Sequence, residues 1–409
     1  MAEKTEKNEK KTVCVRDLIK KFNKEYQDNN LMIFSDIKPN YRRLVTNAFG
    51  LDYILGGGFI YGRTYEVSGL FHSGKTGFCM LAISAYQREN PTQTCVYVDA
   101  EHSLDLKFWA RMTGVDLSRL LYVNLNSQSG QQVLDMIIEL QKTADIGMII
   151  LDSLPALIPQ AVMENDLTKD NGMRGTMAKP LYPFYAMMAE MVANKDNIFI
   201  AVNQVRDAGK TAQGIQLYKE PCGMAPSFYS SIILRFGTRK WTLGDDMDAC
   251  KSNNGEGADG FRLQFKIMKN KCGSCARGGG FLTFRYATGF DWLNDLLEIA
   301  LTFGFIEKIN NQTYRLINLE TNQPYYDENG KELKGYKKDL IAYIKTNYKF
   351  QNEYLAMLNR FISKDDSETY GKLLDAREIA NIDAQQEAVD TQYTSQDRQD
   401  LTNNTVEGE

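Results

Sequence analysis

The chain has 409 residues, 43% of them hydrophobic and 24% charged, which allows two or three domains and excludes a wholly disordered, collagenous or coiled-coil protein. Apolar runs such as 148–151 and 198–202 fall far short of a bilayer span, and lysines occupy the start of the chain where a secretory signal would be apolar, so a cytoplasmic protein with no membrane partner is expected. The net charge of −4 is uneven: residues 365–409 carry twelve acidic and three basic side chains, a net of −9, which leaves +5 on residues 1–364. A basic body beside an acidic tail suits a protein that meets a polyanion, and suits a solubility device as well. Seven cysteines with no even framework of spacings point to reduced thiols.

Residues 1–12 are too polar to pack. Within 13–26 the spacing of Val15, Leu18, Ile19 and Phe22 predicts a short helix with one apolar face. Three glycines at 56–58 predict a flexible approach to the first strand. From 64 to 286, short β-branched runs alternate with amphipathic stretches. Strands are expected at 64–67, 94–98, 121–125, 148–151, 197–203, 231–236, 261–268 and 281–286, with helices beginning near Lys75, Asp105, Gly130 and Ala178. Such a series predicts an α/β fold, a mostly parallel sheet with helices on both faces, antiparallel strands added at the end, and its ligand edge at the carboxyl ends of the strands. Residues 159–178 and 205–225 read as long polar loops at that edge, and 244–260 as a surface loop. Beyond them, 291–303 is amphipathic, 304–316 reads as a short hairpin, 334–380 returns to helical spacing, and 381–409 has the composition of a disordered tail.

The run Gly69-Leu70-Phe71-His72-Ser73-Gly74-Lys75-Thr76 fits the phosphate-binding loop at every fixed position, between a strand and a helix. The glycines let successive amides face phosphate oxygens, Lys75 brings a compact positive charge, and Thr76 offers a hydroxyl to magnesium. Asp152 ends the apolar run 148–151, where a carboxylate can hold the same magnesium ion. ATP and Mg2+ are therefore the expected ligands. Asp99 and Glu101 both lie at another strand end, and either can serve as general base for hydrolysis. His102 lacks a second ligand nearby and reads as a packing or hydrogen-bonding residue. Gln204 closes a fifth strand, where a neutral amide can sense a terminal phosphate and pass its state to the adjoining loop. Basic residues in the two loops, Lys169, Arg174 and the adjoining Lys179 in one and Arg206, Lys210 and Lys219 in the other, suit a nucleic-acid backbone or plain solvation equally. Cys272 and Cys275 form a single C-x-x-C, which favours a turn with free thiols over a zinc site.

The phosphate loop, then Val98-Asp99-Ala100-Glu101-His102, then Ile150-Leu151-Asp152-Ser153, then Asn203-Gln204-Val205-Arg206 and Lys269-Asn270-Lys271 occur in the order found in RecA-type DNA strand-exchange recombinases. The chain resembles that family over about 45–318, and its acidic tail looks like that of the bacteriophage UvsX-like branch. The resemblance implies a RecA-type ATPase core at 48–318 and an N-terminal polymerisation element at 1–47; residues 319–409 lie beyond it, and their spacing and composition give a small C-terminal lobe at 319–380 and an acidic tail at 381–409. It makes Glu101 the base, Gln204 the γ-phosphate sensor, and Asp105, Trp109 and Tyr286 contacts of the adenine, with Phe108 the alternative to Trp109. Lys269 and Lys271 become residues that reach the nucleotide of the neighbouring subunit. Met173, Arg174, Lys179, Arg206, Lys210 and Gly223 fall in the DNA-binding loops. The activity implied is DNA-dependent ATP hydrolysis by a helical homo-oligomer on single-stranded DNA that pairs with duplex DNA, assisted by single-strand-binding and mediator proteins. A hexameric helicase motor and a nucleotide-switched assembly without DNA are the alternatives.

Overall fold

The structure, a computed structural model, describes residues 15–25, 42–164, 177–210, 216–243, 248–249, 255–272, 278–302, 304, 306–318 and 321–347. The chain divides into two compact units, Met1–Arg42 and Arg43–Glu409. In the first, helix α1 (Val15–Glu25) carries Val15, Leu18, Ile19 and Phe22 at helical spacing. It places Asp17 in its first turn and Lys24 in its last, the signs its dipole favours there.

The second unit opens with β1 (Arg43–Leu44), α2 (Phe49–Ile54) and β2 (Phe59–Ile60). β1 and β2 pair antiparallel, and all six α2 residues are buried. The glycine run before β2 is not a flexible approach. Gly56, Gly57 and Gly58 all have positive φ, and a Cβ on Gly58 would lie 2.1 Å from the Leu44 carbonyl oxygen, so the run is a turn closed tightly against β1.

Next in the chain are β3 (Arg63–Gly69), α3 (Lys75–Glu89), β4 (Thr94–Asp99), α4 (Leu106–Thr113), β5 (Leu120–Asn124), α5 (Gly130–Lys142), β6 (Ile146–Asp152), α6 (Gln160–Glu164), α7 (Ala178–Lys195) and β7 (Ile198–Val202). Then come β8 (Arg206–Lys210), β9 (Gln216–Lys219), α8 (Ala225–Tyr229) and β10 (Ile232–Phe236). Strands β5, β4, β6, β7, β3 and β10 pair in that order, all parallel. Alternate residues serve opposite cores. Cys95 and Tyr97 of β4 join Phe78 and Ile83 of α3, whereas Val96 and Val98 join Val133 and Ile137 of α5 and Leu181 and Met188 of α7. With both faces covered, a central strand has no polar side, which is why all seven residues of β6 are buried.

Antiparallel strands β11 (Lys240–Leu243), β12 (Asp248–Ala249), β13 (Gly260–Asn270), β14 (Gly279–Arg285) and β15 (Gly289–Phe290) complete an 11-stranded sheet. The 244–260 stretch is therefore not loop throughout, because β12 pairs back onto β11. The 205–225 stretch likewise contains a hairpin of β8 and β9. Polar composition hides such pairs, since backbone groups alone make the ladder. Pro180 does not interrupt α7: it lies in the first turn, where a missing N–H breaks no helical bond.

The last elements are α9 (Trp292–Thr302), β16 (Ile306–Lys308), β17 (Tyr314–Asn318), β18 (Gln323–Pro324), β19 (Lys334–Gly335) and α10 (Lys337–Thr346). β17 pairs with β16, β18 and β19. The boundary expected after residue 318 thus runs inside one small sheet, and the one expected after residue 47 separates β1 from its partner strand. Both expectations followed the extent of the family resemblance, which does not register strand pairing. The acidic tail lies outside the described residues.

Candidate active site

The carboxyl ends of the parallel strands meet at one edge, where Gly69 stands opposite Phe236, Val67 opposite Val202, and Asp99 opposite Asp152. At that edge lies a cavity of about 400 Å³. Residues 71–77, most of them in the phosphate-loop motif, form one end, Glu101, Ser103, Asp152 and Gln204 its side, and Phe108, Trp109, Phe261, Phe284, Tyr286 and Arg239 the remainder.

Lys75 is the first residue of α3, behind Gly74 in the left-handed conformation. Its Nζ donates to the carbonyl oxygens of Gly69 at 3.2 Å and Leu70 at 2.8 Å, and to Ser73 Oγ at 3.3 Å. Gly69 and Leu70 therefore hold the lysine and do not line the cavity themselves. Burial pulls the Lys75 ammonium below its ordinary pKa, against the pull of Asp152 and Glu101. Thr76 Oγ1 donates to Asp152 Oδ2 at 2.9 Å, and the Tyr97 hydroxyl donates to the same oxygen at 2.6 Å. Burial pushes the Asp152 carboxyl up to about 6, with Tyr97 opposing and Glu101 adding to the rise. These adjacent oxygens, one hydroxyl and one carboxylate, are the hard donors that magnesium takes. Among the described residues no group of three or more His, Cys, Asp or Glu side chains forms a metal cage. A Mg2+ ion on Thr76 and Asp152 would thus keep water and phosphate ligands, as this ion prefers.

Asp99 and Glu101 differ in what each touches. The buried Asp99 carboxylate accepts from the amides of Glu101 at 3.1 Å and Leu104 at 3.2 Å and from the Tyr122 hydroxyl at 2.8 Å, so it fastens the strand end. Glu101 lines the cavity. Its Oε1 accepts from Ser153 Oγ and from Gln204 Nε2, both at 2.5 Å, so the base and sensor candidates are in direct contact. His102 Nδ1 lies 3.0 Å from Asn124 Oδ1, the hydrogen-bonding role expected of it.

Beyond the phosphate-loop end the wall is aromatic. Phe261 stacks on Phe284 at 5.1 Å between ring centroids, with Trp109 at 5.5 Å and Tyr286 at 6.1 Å from Phe284. Phe108 and Trp109 both line the cavity, so neither excludes the other. The indole lies across the start of α3, where a Cβ on Gly77 would come within 2.5 Å of Trp109 Cη2. Asp105 lies outside the residues that line the cavity, and its Oδ1 accepts from the Phe108 amide at 3.0 Å as the N-cap of α4.

Lys269 and Lys271 lie away from this cavity. Lys269 pairs with Ile233, which pairs with Glu66, three residues or about 10 Å before the end of β3. Their ammonium groups donate to carbonyls of the short helix α8, Lys269 to Ser227 at 2.6 Å and Phe228 at 2.8 Å, and Lys271 to Phe228 at 3.2 Å. Of the expected DNA-contact group, Lys179 is exposed in the first turn of α7 and Arg206 is exposed at the start of β8. Gly223 lies against Ala178, so the feet of the two loops meet. Lys210 lies in β8, its side chain beyond what is described, and Met173 and Arg174 fall outside the described residues. Cys272 is a free thiol, and Cys275 is also outside them.

Beneath the sensor runs a buried polar chain. Asn203 Oδ1 accepts from the Gln204 amide at 2.9 Å, and its Nδ2 donates to Glu66 Oε1 at 2.8 Å. Burial, reinforced by Glu220, raises the Glu66 carboxyl well above the carboxylate range. Arg235, 1% exposed, donates through Nε to Ser68 Oγ at 2.8 Å and pairs with the buried Glu220.

The RecA N-terminal domain family matches residues 14–290. The chain belongs to the RecA family. RecA proteins similar to it include that of Chlorobaculum parvum, 29% identical over 71% of this chain and 79% of the relative, and that of Chlorobaculum tepidum, 31% identical over 64% and 71%. The RecA protein of Thermus aquaticus is 28% identical over 73% of this chain and 84% of its own. Among solved structures, the RadB recombinase aligns with a TM-score of 0.42 and 16% identity, covering 59% of this chain and 96% of that one. Among the described residues no helix is long and apolar enough to cross a membrane. For this RecA-family chain, sequence reasoning left Ser103, Ser153, Arg239, Phe261 and Phe284 unassigned. Ser153 stands directly after Asp152 at the strand end, which was a usable signal. The two phenylalanines converge only through the β13–β14 register, and Arg239 gave no signal.

Proposed function

We propose that this RecA-family protein is an ATP-dependent DNA recombinase that polymerises on single-stranded DNA and exchanges strands with duplex DNA. The observation that supports this most is the contact between Glu101 and Gln204, with the hairpin β8–β9, which begins at Arg206, coming at once in the chain. On this reading ATP lies along the cavity, its phosphates on residues 71–76 and its base against Trp109, Phe108 and Tyr286. Thr76 and Asp152 would hold Mg2+, whose charge would offset that of the phosphates. Glu101 accepts the proton of the attacking water, and Ser153 Oγ fixes the carboxylate that does so. A γ-phosphate oxygen competes with Glu101 for the Gln204 amide. That exchange reaches the hairpin through the chain and Glu66 through Asn203, a two-state element at the foot of the DNA-contact loops.

Lys269 and Lys271 cannot reach their own cavity, and the reading assigns them to the nucleotide of the next subunit in a helical filament. Placement in the bacteriophage UvsX-like branch is part of the same proposal and rests on the acidic tail. The test is ATP hydrolysis with and without single-stranded DNA, beside electron micrographs of both samples. Stimulated turnover and helical filaments are expected, whereas rings, or turnover indifferent to DNA, would replace the recombinase with one of its rivals.

Lys269 makes the interface sensitive to pH. Burial, followed by its neighbour Lys271, lowers its pKa to about 8. A lysine is charged below its pKa, so the charge is present at neutral pH and is lost as pH rises through about 8. DNA-stimulated turnover is expected to fall over that range, and Lys269→Arg, which stays protonated, should move the fall to higher pH. Superimposable pH profiles for the two proteins would remove Lys269 from the interface.

A further inference from the structure

We infer that Arg239 is a phosphate-binding residue of the nucleotide cavity, supplied by the same chain from the turn after β10. The inference rests on the proposed nucleotide site and adds a second fixed cation to it. Arg239 lines the cavity together with the phosphate loop and Tyr286. Its Cζ lies 4.3 Å from the centroid of Trp241 and 5.1 Å from that of Phe261, so two rings set its position. Ring faces steady the charge but leave the in-plane N–H groups without acceptors, and a guanidinium has five of them. Among the described residues no carboxylate pairs with it. A half-buried guanidinium in a cavity, held by aromatic faces and free to donate, is arranged for an anion with several oxygens.

Its neighbours locate that anion. Arg239 acts on His72 of the phosphate loop more strongly than Lys75 does, and its other charge neighbour is Tyr286 at the base end. The guanidinium therefore stands between the loop and the aromatic wall, whereas Lys75 is tied to the carbonyls of Gly69 and Leu70. Lys75 and Arg239 both line the cavity, and a polyphosphate lying between them is attracted by both cations. The position on the base side of the loop selects phosphates that ADP and ATP share, in preference to the terminal phosphate.

The experiment is direct binding of ATP, ADP and adenosine to the full chain and to Arg239→Gln and Arg239→Lys. The glutamine variant is expected to weaken ADP and ATP by similar factors, about tenfold or more for a lost charge-assisted bond, and to leave adenosine unchanged. The lysine variant, which keeps the charge but not the fork, should lie between. Thermal melting without nucleotide separates a folding defect from a lost contact, and the lysine variant carries the test if the glutamine one unfolds. Equal losses for all three ligands would make Arg239 a prop for the aromatic wall, and no loss for any would reduce it to rim packing; either overturns the inference while the nucleotide site stands. A wild-type chain that binds neither ADP nor ATP overturns both.

Discussion

Glu101→Gln is expected to bind ATP about as well as the wild type and to hydrolyse it about 10²- to 10⁴-fold more slowly, the range a positioned general base contributes. Both donors to this side chain, Ser153 Oγ and Gln204 Nε2, converge on Oε1. A glutamine carbonyl in that place keeps both hydrogen bonds, while the amide nitrogen replacing Oε2 can take no proton. The variant therefore separates the chemistry from the sensor contact and is expected to accumulate as a stable complex on single-stranded DNA with ATP. Single-turnover hydrolysis measured beside ATP affinity checks it. Turnover near that of the wild type would move the base elsewhere, and Asp99, already committed to two amides and Tyr122, would be an awkward successor.

The second large effect is on stability. Glu220→Leu leaves the Arg235 guanidinium buried with Ser68 as its remaining side-chain partner and is expected to cost about 3–5 kcal/mol, as does Arg235→Met for the converse reason. The double variant should recover much of that loss, because an apolar pair carries no charge to desolvate. The check is a double-mutant cycle on the unfolding free energy without nucleotide. Losses that simply add would mean the two side chains do not interact as a pair. Since Glu220 sits at the foot of the second loop, the cycle also measures how firmly that foot is held to β10, the neighbour of the strand that feeds the phosphate loop.

Features are legible in the sequence where their physics is local. The parallel strands announce themselves because burial on both faces demands unbroken apolar runs, as in 148–151. The phosphate loop does so because glycine, lysine and threonine at fixed spacing have few other uses in that setting. Glu101 and Asp99 were indistinguishable in composition, since only the third dimension gives one of them Tyr122 and the other Gln204. Asp105 caps a helix, a role that sequence does not separate from a ligand contact, since both ask for the same residue at the same place. The hairpin at 206–219, the Glu220–Arg235 pair and the Phe261–Phe284 stack all depend on strand register and tertiary approach, which no window of sequence contains.

Trp109 crosses the helix that begins with Lys75, and it can do so because residue 77 has no side chain. On the proposed binding mode, the wall for a nucleobase and the helix for its phosphates are thus one joint rather than two parts. Any change meant to widen the base end for a different nucleobase alters the packing on the helix carrying Lys75 and Thr76. Conversely, even a methyl group at 77 shifts the indole. Base preference and phosphate handling in this chain can therefore be redesigned only together.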